Sequence, residues 1–320
     1  MRRVRRHESG AALLLAMIVL TLVATLASAM VWQQSRAVQI EAAERARSQA
    51  GWMLTAGIDF AREVVRRNAT ADPRREQPWD QPLAETRLSS LLAADRDNTT
   101  DTGIEAFISG RIDDAQARYN LRNLLDAQGK PVQLEVATLR RLCEAIGLPG
   151  TADVLLAGLV QAWAPARGDG AQASAIEPTR MADLAWLGLD ATTLAELSRV
   201  ADILPSQTPV NLNTASREVI FAVIPEIDLA GAERIVRQRN NRFASLQQVS
   251  EEGLLPPTAQ LTAARTQVRS THFYVSATVR YEDRALTDRA LVQQSGEGSA
   301  AQVVLLRRER RPTLAVAGAS

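Results

Sequence analysis

Residues 1–32 read MRRVRRHESGAALLLAMIVLTLVATLASAMVW, a short basic head followed by an unbroken apolar run from Ala11 to Trp32. A helix rises about 1.5 Å per residue, so the run is roughly 33 Å long, enough to cross the hydrocarbon core of a bilayer. Four arginines precede the run, and the next charges beyond it are Arg36 and Glu41. This excess of positive charge predicts that the head stays in the cytoplasm and that the rest of the chain is exported.

The apolar run has two other interpretations, a cleaved secretory signal peptide with its cleavage site at residues 27–29 and a plain uncleaved anchor. The apolar region of a signal peptide usually has about 7–15 residues, and this run is at or above that limit. The junction Glu8-Ser9-Gly10 before Ala11 resembles instead the type III signal of pilins and pseudopilins. In those proteins a prepilin peptidase cuts after the glycine on the cytoplasmic side, and the apolar run is retained.

The composition excludes several classes of function. Lysine and arginine number 37 against 36 aspartates and glutamates, and a net charge of +1 argues against a general attraction to nucleic acid. Cys143 is the single cysteine, and its apolar neighbours at helical spacing predict a buried structural thiol. His7 and His272 are the two histidines, too few for a multi-histidine zinc site. We therefore predict that the protein is not an enzyme.

The pattern of apolar residues predicts helices first, then a strand pair, then a block of short helices. The helical pattern continues without proline from Gln33 to Arg67, which predicts one long helix, with a break near Gln33 as the alternative. Residues 104–121 alternate in polarity and predict a hairpin that reverses at Asp113 and Asp114. Further helices are predicted at Leu134–Ile146, Thr151–Trp163, Arg180–Leu187, Thr192–Ile203, Ser216–Ile224 and Leu229–Asn240.

Strand patterns return near the end of the chain, at Phe273–Tyr281, Ala285–Gln293 and Ala301–Arg307, the first two as a hairpin. Strands on both sides of a helical block predict an α+β fold: a long N-terminal helix packed on a small antiparallel sheet, with a large inserted α-helical domain. The predicted segments are a leader (1–10), the N-terminal helix (11–67, in the membrane to about residue 32), an α+β body (68–121 and 265–308), the inserted domain (122–264) and a flexible tail (309–320).

Within the inserted domain, residues 206–250 resemble the helix-hairpin-helix family, beginning with the motif Val210-Asn211-Leu212-Asn213-Thr214-Ala215. In DNA-binding members the turn carries Gly-x-Gly, so that bare backbone N–H groups approach a phosphate. Here the turn reads Pro225-Glu226-Ile227-Asp228, with two carboxylates and no glycine, and negative charge at this place repels DNA. A structural or protein-binding use is favoured over DNA binding. Four arginines favour DNA binding instead, namely Arg234, Arg237, Arg239 and Arg242.

Several separate stretches together resemble the GspK family, minor pseudopilins of the type II secretion system. They are the Gly10/Ala11 junction, the long helix, Pro78-Trp79-Asp80-Gln81-Pro82-Leu83, residues 110–124 (GRIDDAQARYNLRNL) and residues 209–215 (PVNLNTA). The resemblance covers roughly residues 1–295. It implies a pseudopilin scaffold with an inserted α-domain, cleavage by prepilin peptidase between Gly10 and Ala11, and N-methylation of Ala11.

The resemblance also implies where the protein acts and with what. It places the chain in the inner membrane, with its body in the periplasm, at the tip of the pseudopilus. The implied partners are the minor pseudopilins GspI and GspJ, the major pseudopilin, the inner-membrane assembly platform and secreted substrates, with no nucleic acid. The alternatives are a membrane-tethered helix-hairpin-helix protein that binds DNA and a minor pilin of a type IV pilus.

Two parts of the chain depart from the family pattern, the loop after Trp163 and the polar tail beyond Ser295. Members often carry an acidic, calcium-binding loop after the tryptophan that corresponds to Trp163, but here residues 164–170 contain Asp169 as their one carboxylate. One carboxylate does not supply the oxygens that calcium requires, so we predict that the site is lost or weakened, with Asp169 at most a remnant. The fifth residue after the cleavage point is Leu15, where most pilin-like proteins carry a glutamate. Leu15 is therefore predicted to mark a subunit at the tip.

Overall fold

A computed structural model of the chain describes residues 9–68, 81–87, 106–163, 177–239, 242–281, 284–296 and 298–313. The leader up to residue 8, the motif at residues 78–80 and the loop with Asp169 lie outside the described residues. The chain divides into two compact units, Met1–Ala56 and Gly57–Ser320, and each is treated by itself.

The first helix, α1 (Ser9–Arg67), runs without interruption for 59 residues. This confirms one long helix and excludes the predicted alternative of a break near Gln33. Its N-terminal part is long and apolar enough to cross a membrane, with a mean hydropathy of 2.5 over the most apolar window. The large apolar side chains from Leu13 to Trp32 are all more than half exposed. Such a surface is stable in lipid rather than in water.

The second unit contains a five-stranded antiparallel sheet in the spatial order β1-β2-β7-β8-β9. Within the described residues the strands are β1 (Leu83–Arg87), β2 (Ala106–Asp114), β3 (Tyr119–Asn120), β4 (Ala201–Asp202), β5 (Val210–Asn211), β6 (Thr266–Gln267), β7 (His272–Tyr281), β8 (Arg284–Ser295) and β9 (Gln302–Thr313). The end of α1 packs on this sheet at Gly57, where an added Cβ would lie 3.0 Å from Ala277 and 3.3 Å from Ile108. A larger residue at position 57 would therefore push the helix off the sheet.

The sheet confirms the predicted hairpin of β7 and β8, in which Tyr281 pairs with Arg284, and the third strand beside it. The predicted hairpin at residues 104–121 is wrong. Strand β2 runs unbroken to Asp114 and pairs along its whole length with β7. Asp114 then caps a 3₁₀ turn, Ala115–Ala117, by accepting from the backbone N–H of Gln116. Aspartate serves both hairpin turns and helical caps, and here the cap prevailed.

The predicted flexible tail from residue 309 is also wrong at its beginning. Strand β9 continues to Thr313, which pairs with Ala285 of β8. The physical reason lies in two arginines of β9, Arg308 and Arg310, which bind the buried carboxylate of Asp288 on β8. These ion pairs hold this stretch in the sheet, although its sequence is that of a polar terminus.

Short helices form the block between β3 and β6. They are α2 (Gln133–Ala145), α3 (Thr151–Ala162), α4 (Ala191–Val200), α5 (Arg217–Val223), α6 (Leu229–Gln238) and α7 (Leu246–Glu251), together with the 3₁₀ segments Leu121–Leu124 and Met181–Leu187. Most of the predicted helices are confirmed within a few residues, whereas α7 was missed and Met181–Leu187 is 3₁₀. One apolar core joins them, with Leu139, Leu155, Leu197, Ile220 and Phe243 among its fully buried members.

Two short parallel strand pairs close the block. Strand β3 pairs with β4, and β5 pairs with β6. Because β3 follows β2 along the chain and β6 precedes β7, these pairs bring the segments on either side of the helices to the same end of the sheet. The motifs at residues 110–124 and 209–215 both lie there.

Candidate functional site

The two sequence motifs at residues 110–124 and 209–215 meet around one buried carboxylate, that of Asp114. Its Oδ1 accepts from the backbone N–H of Gln116 at 2.8 Å. Its Oδ2 accepts from Asn211 Nδ2 at 2.8 Å, from Ser270 Oγ at 2.7 Å and from the hydroxyl of Thr214. All four donors are neutral, and three of them come from segments about a hundred or more residues away along the chain.

Burial raises the pKa of Asp114, and the hydrogen bonds from Thr214, Ser270 and Asn211 oppose that rise. A carboxylate without a cation is expensive to bury, and here fixed dipoles replace the lost water. Through these hydrogen bonds the carboxylate connects the end of strand β2 to the start of the helix-hairpin-helix-like segment. We name Asp114 with its four donors the Asp114 joint.

Gln116 extends the Asp114 joint to the strand that follows the helical block. Its Nε2 donates to the carbonyl oxygen of Pro209 at 2.8 Å. Its Oε1 accepts from the backbone N–H groups of Thr271 at 2.6 Å and His272 at 3.1 Å. A single buried amide therefore connects three separated segments, and it supplies a hydrogen-bond partner to three backbone groups.

Two asparagines likewise bind backbone groups of the irregular segment before β5 through their side-chain amides. Asn120 Nδ2 donates to the carbonyl oxygen of Ser206 at 2.7 Å, and Asn120 Oδ1 accepts from the N–H of Leu204 at 3.1 Å. Asn123 binds both backbone groups of Thr208, its Nδ2 to the carbonyl oxygen at 2.9 Å and its Oδ1 from the N–H at 3.1 Å. The motif at residues 110–124 thus holds residues 204–209 in place through hydrogen bonds to their backbone.

The helix-hairpin-helix-like segment confirms the predicted arrangement of two short helices, α5 and α6, about a tight turn. Asn213 holds the far side of the segment, with Nδ2 donating to the carbonyls of Phe243 and Val268, both at 2.9 Å. In the turn, Glu226 has φ of 66°, the left-handed region that glycine adopts most easily. Asp228 Oδ1 accepts from the N–H of Gly231 at 2.6 Å and so caps α6.

This turn opposes phosphate binding. The N-terminus of α6 is the place where an anion would gain most, and the Asp228 carboxylate already fills it. Of the arginines that were a sign for DNA binding, Arg239 is largely buried and donates to the carbonyl oxygens of Ala215 and Leu212. Arg237 pairs with Glu233 one turn earlier on α6. The geometry fits the structural use that the sequence favoured.

The predicted processing and tip residues lie in the first unit. Gly10 and Ala11 are in the first turns of α1, and Leu15 follows with 66% of its surface exposed. Asp169 lies outside the described residues, so the prediction for calcium remains a prediction. Among the residues that the structure describes, histidine, cysteine and acidic side chains form no cluster of three or more that would hold a metal ion.

Two further groups that could react, the side chains of Cys143 and His272, are buried. Cys143 is fully buried, as predicted, and burial raises the pKa of its thiol to about 11. His272 is also buried, and burial lowers the pKa of its imidazole. Ser270, which donates to Asp114, and Thr271, which donates to Gln116, were not predicted from the sequence. Their only signal was a run of small polar residues just before a strand.

Comparisons with known proteins point in one direction. The family model for type II secretion system protein K matches residues 210–269. The type II secretion system protein K of Pectobacterium carotovorum subsp. carotovorum is 25% identical over 325 residues, covering 92% of this chain and 94% of the relative. The protein of the same name from Pseudomonas aeruginosa PAO1 is 26% identical over 260 residues, 73% of each chain.

A solved structure shares the fold. It is the crystal structure of the GspK-GspI-GspJ complex from the type II secretion system of enterotoxigenic Escherichia coli. The matching chain is 15% identical, with a TM-score of 0.59, and the match covers 85% of this chain and 99% of that one. The matched family segment begins at β5 and ends beside Ser270, so it contains two of the four residues that donate to Asp114, namely Asn211 and Thr214.

Proposed function

Because the chain belongs to the type II secretion system protein K family and is a minor pseudopilin, we propose that it stands at the tip of the pseudopilus. There it initiates or caps assembly and supports secretion across the outer membrane. The observation that carries the tip position is Leu15. It lies in an α1 segment whose described large side chains are all apolar and exposed.

A glutamate at this place in pilin-like proteins pairs with the amino terminus of the neighbouring subunit. An unpaired carboxylate in the bilayer costs several kcal/mol, so it is tolerated only where that partner is present. Leu15 makes no such demand. A subunit with leucine here suits the one position that has no neighbour ahead of it.

The proposed partners follow from the relative whose structure is solved together with GspI and GspJ. We propose that this chain assembles with the corresponding minor pseudopilins of its own system, then with the major pseudopilin and the inner-membrane assembly platform. Contact with secreted substrates is proposed for the exposed tip. The proposed location is the inner membrane, with one span, the N-terminus cytoplasmic and the body periplasmic. The family is a structural component, and we propose that the chain acts without catalysis.

The test is secretion in a strain that lacks its own protein K and carries this chain with the matching minor pseudopilins. Leu15→Glu should leave secretion unchanged or reduce it, and Leu14→Glu, at an equally exposed neighbouring position, serves as the control. A gain in pseudopilus initiation with Leu15→Glu alone would contradict the tip position. Failure of the full chain to co-purify with GspI and GspJ counterparts would contradict the assembly itself.

Processing is tested on the same protein. We propose that prepilin peptidase cleaves between Gly10 and Ala11 and that Ala11 is then N-methylated. Mass spectrometry of the purified chain should find methylated Ala11 at the N-terminus, and Gly10→Val should retain Met1. A wild-type chain that still begins at Met1 in cells with active peptidase would contradict this.

The calcium proposal has its own measurement. The loop of residues 164–170 offers one carboxylate, Asp169, and so supplies too few oxygens for a tight site. Isothermal titration of the full chain in detergent micelles with calcium should give no binding below the millimolar range. Sub-millimolar binding that Asp169→Asn abolishes would overturn the proposal.

A further inference from the structure

Trp32 and Arg36 lie one turn apart on α1, at the point where its apolar run ends. Trp32 is the last residue of the run and is 66% exposed, and Arg36 is the first charged residue beyond it. The guanidinium carbon of Arg36 lies 5.6 Å from the centre of the Trp32 ring. We name these two side chains the Trp32–Arg36 pair. Both belong to the first unit, and the proposed function assigns them no role.

Helix geometry directs the Arg36 side chain back towards the apolar run. The Cα–Cβ bonds of an α-helix tilt towards its N-terminus, so a long side chain covers the turn before its own Cα. For Arg36 that turn carries Trp32, and the guanidinium lies over the indole ring. A guanidinium in this position keeps its N–H groups at the edge, where an oxyanion can accept from two of them.

Arg36 has no acidic partner on its own helix. The positions three and four residues away, where a helical ion pair forms, are all uncharged, namely Trp32, Gln33, Gln39 and Ile40. The next carboxylate, that of Glu41, is turned about 140° around the helix axis from Arg36. It pairs with Arg45 at 2.9 Å. Within the described residues, none of the ion pairs of α1 includes Arg36.

The position of Arg36 along α1 corresponds to the headgroup layer of a bilayer. This layer adds about 5–7 Å on each side of the hydrocarbon core. With a rise of about 1.5 Å per residue, the Cα of Arg36 lies about 6 Å beyond that of Trp32. A tryptophan at the end of a membrane span lies at the interface, with its ring at the level of the headgroups. The phosphates of phospholipids are the negative charges at that level, and they complement the charge of Arg36.

We propose that the Trp32–Arg36 pair binds the phosphate of an acidic phospholipid in the periplasmic leaflet. The guanidinium donates to two phosphate oxygens, while the indole ring packs against the apolar part of the same lipid. An acidic lipid is preferred because a choline headgroup neutralises its own phosphate. The bound headgroup fixes how deep α1 lies in the bilayer. This proposal rests on the proposed membrane span and its orientation, to which it adds a lipid site.

The test measures which lipids surround Trp32 in vesicles that carry the full chain. The vesicles contain phosphatidylcholine and phosphatidylglycerol in a fixed ratio, and bromine atoms on the acyl chains of one lipid or the other quench tryptophan fluorescence at short range. The quenching should show a preference of about fivefold for phosphatidylglycerol, the value expected for one basic residue at an acidic membrane surface. Trp32→Phe should remove this quenching, which separates the signal of Trp32 from that of the other four tryptophans.

Arg36→Gln should abolish the preference, because the amide carries no charge. Arg47→Gln is the matched control and should keep it, since Arg47 is also exposed and outside the described ion pairs of α1, but lies about 16 Å farther along the helix. A preference that survives in Arg36→Gln overturns the lipid site, as does equal quenching by the two brominated lipids in the wild type. Both results leave the membrane span intact, whereas quenching by neither lipid overturns the span as well.

Discussion

Asp114 and Asp288 are both buried on the five-stranded sheet, Asp114 where β2 ends and Asp288 in the interior of β8. Asp114 is held by neutral donors, whereas Asp288 is held by Arg308 and Arg310 of the adjacent strand. Burial raises the pKa of Asp114. For Asp288 burial acts in the same direction, but hydrogen bonds from Arg310 and Arg308 outweigh it and lower the pKa.

The difference shows two ways to bury a carboxylate. The partners of Asp288 are near in sequence and partly exposed, with 29% and 50% of the Arg308 and Arg310 side chains accessible, so water can replace the carboxylate. Three of the four donors to Asp114 come from distant segments and are buried or half-buried, so water replaces this carboxylate less readily. Asp114 therefore specifies how separate parts of the chain meet, and Asp288 secures a local strand pair.

The largest expected effect is that of Asp114→Ala. It removes the acceptor that Asn211, Thr214 and Ser270 share at a buried or half-buried site, and it should lower the free energy of unfolding by about 3–5 kcal/mol. Urea or thermal unfolding of the full chain in detergent measures this. Asn211→Ala is the companion variant, and the double variant should lose less than the two single losses added, because both remove the same contact. A loss of stability in the double variant equal to the sum of the two single losses would contradict the interpretation of Asp114 as a joint.

Asp288→Asn should have a smaller effect, about 1–2 kcal/mol, because the amide keeps an acceptor and the two arginines can turn to water. The same unfolding measurement compares it with Asp114→Asn, which removes no volume but places an NH₂ group among donors. A loss for Asp288→Asn equal to or greater than that for Asp114→Asn would remove the distinction between local and long-range burial.

The pH dependence sharpens the comparison further. The pKa of Asp288 in the fold lies below its unfolded value of about 3.9, so its stabilisation is present above that pH and is lost as the pH falls. Asp114, with a raised pKa, acts in the opposite sense, since the folded state binds the proton more tightly. Between pH 7 and pH 3, Asp288→Asn should lose less stability than the wild type, and Asp114→Asn should lose more. Parallel profiles for the two variants would contradict the pKa directions.

The same contrast explains which parts of the molecule could be predicted from the sequence. The long helix and the hairpin of β7 and β8 could be, because an apolar run and a strict alternation are local patterns. The hairpin at Asp113 and Asp114 was wrong because one aspartate can serve a turn or a cap, and only its distant partners decide between them. The motifs at residues 110–124 and 209–215 were two of the stretches that carried the resemblance, but the contact between them was not predicted.

The arrangement of Arg118, Arg289 and Arg307 around the side chain of Tyr274 could not have been predicted from the sequence. These arginines are spread from residue 118 to residue 307, and no local pattern connects them. Only the sheet register, which sets Tyr274 opposite Leu291 and Arg289 opposite Glu309, brings them around one ring. Long-range register of this kind is fixed by tertiary packing rather than by local propensity.

The smallest expected effect is that of Arg310→Gln, which tests whether Asp288 needs both of its arginines. Arg310 is half exposed, so the pair is weakened by solvent, and the loss should be about 0.5 kcal/mol or less. Arg308→Gln, at a more buried position, should cost more, because Arg308 makes the closer contact with Asp288 Oδ2. Unfolding of both variants in low and high salt measures the difference, and salt should reduce the effect of Arg310→Gln more. If the Arg310 variant lost more stability than the Arg308 variant, the more exposed arginine would be the main counter-ion of Asp288. The attachment of β9 to the sheet would then depend mainly on Arg310.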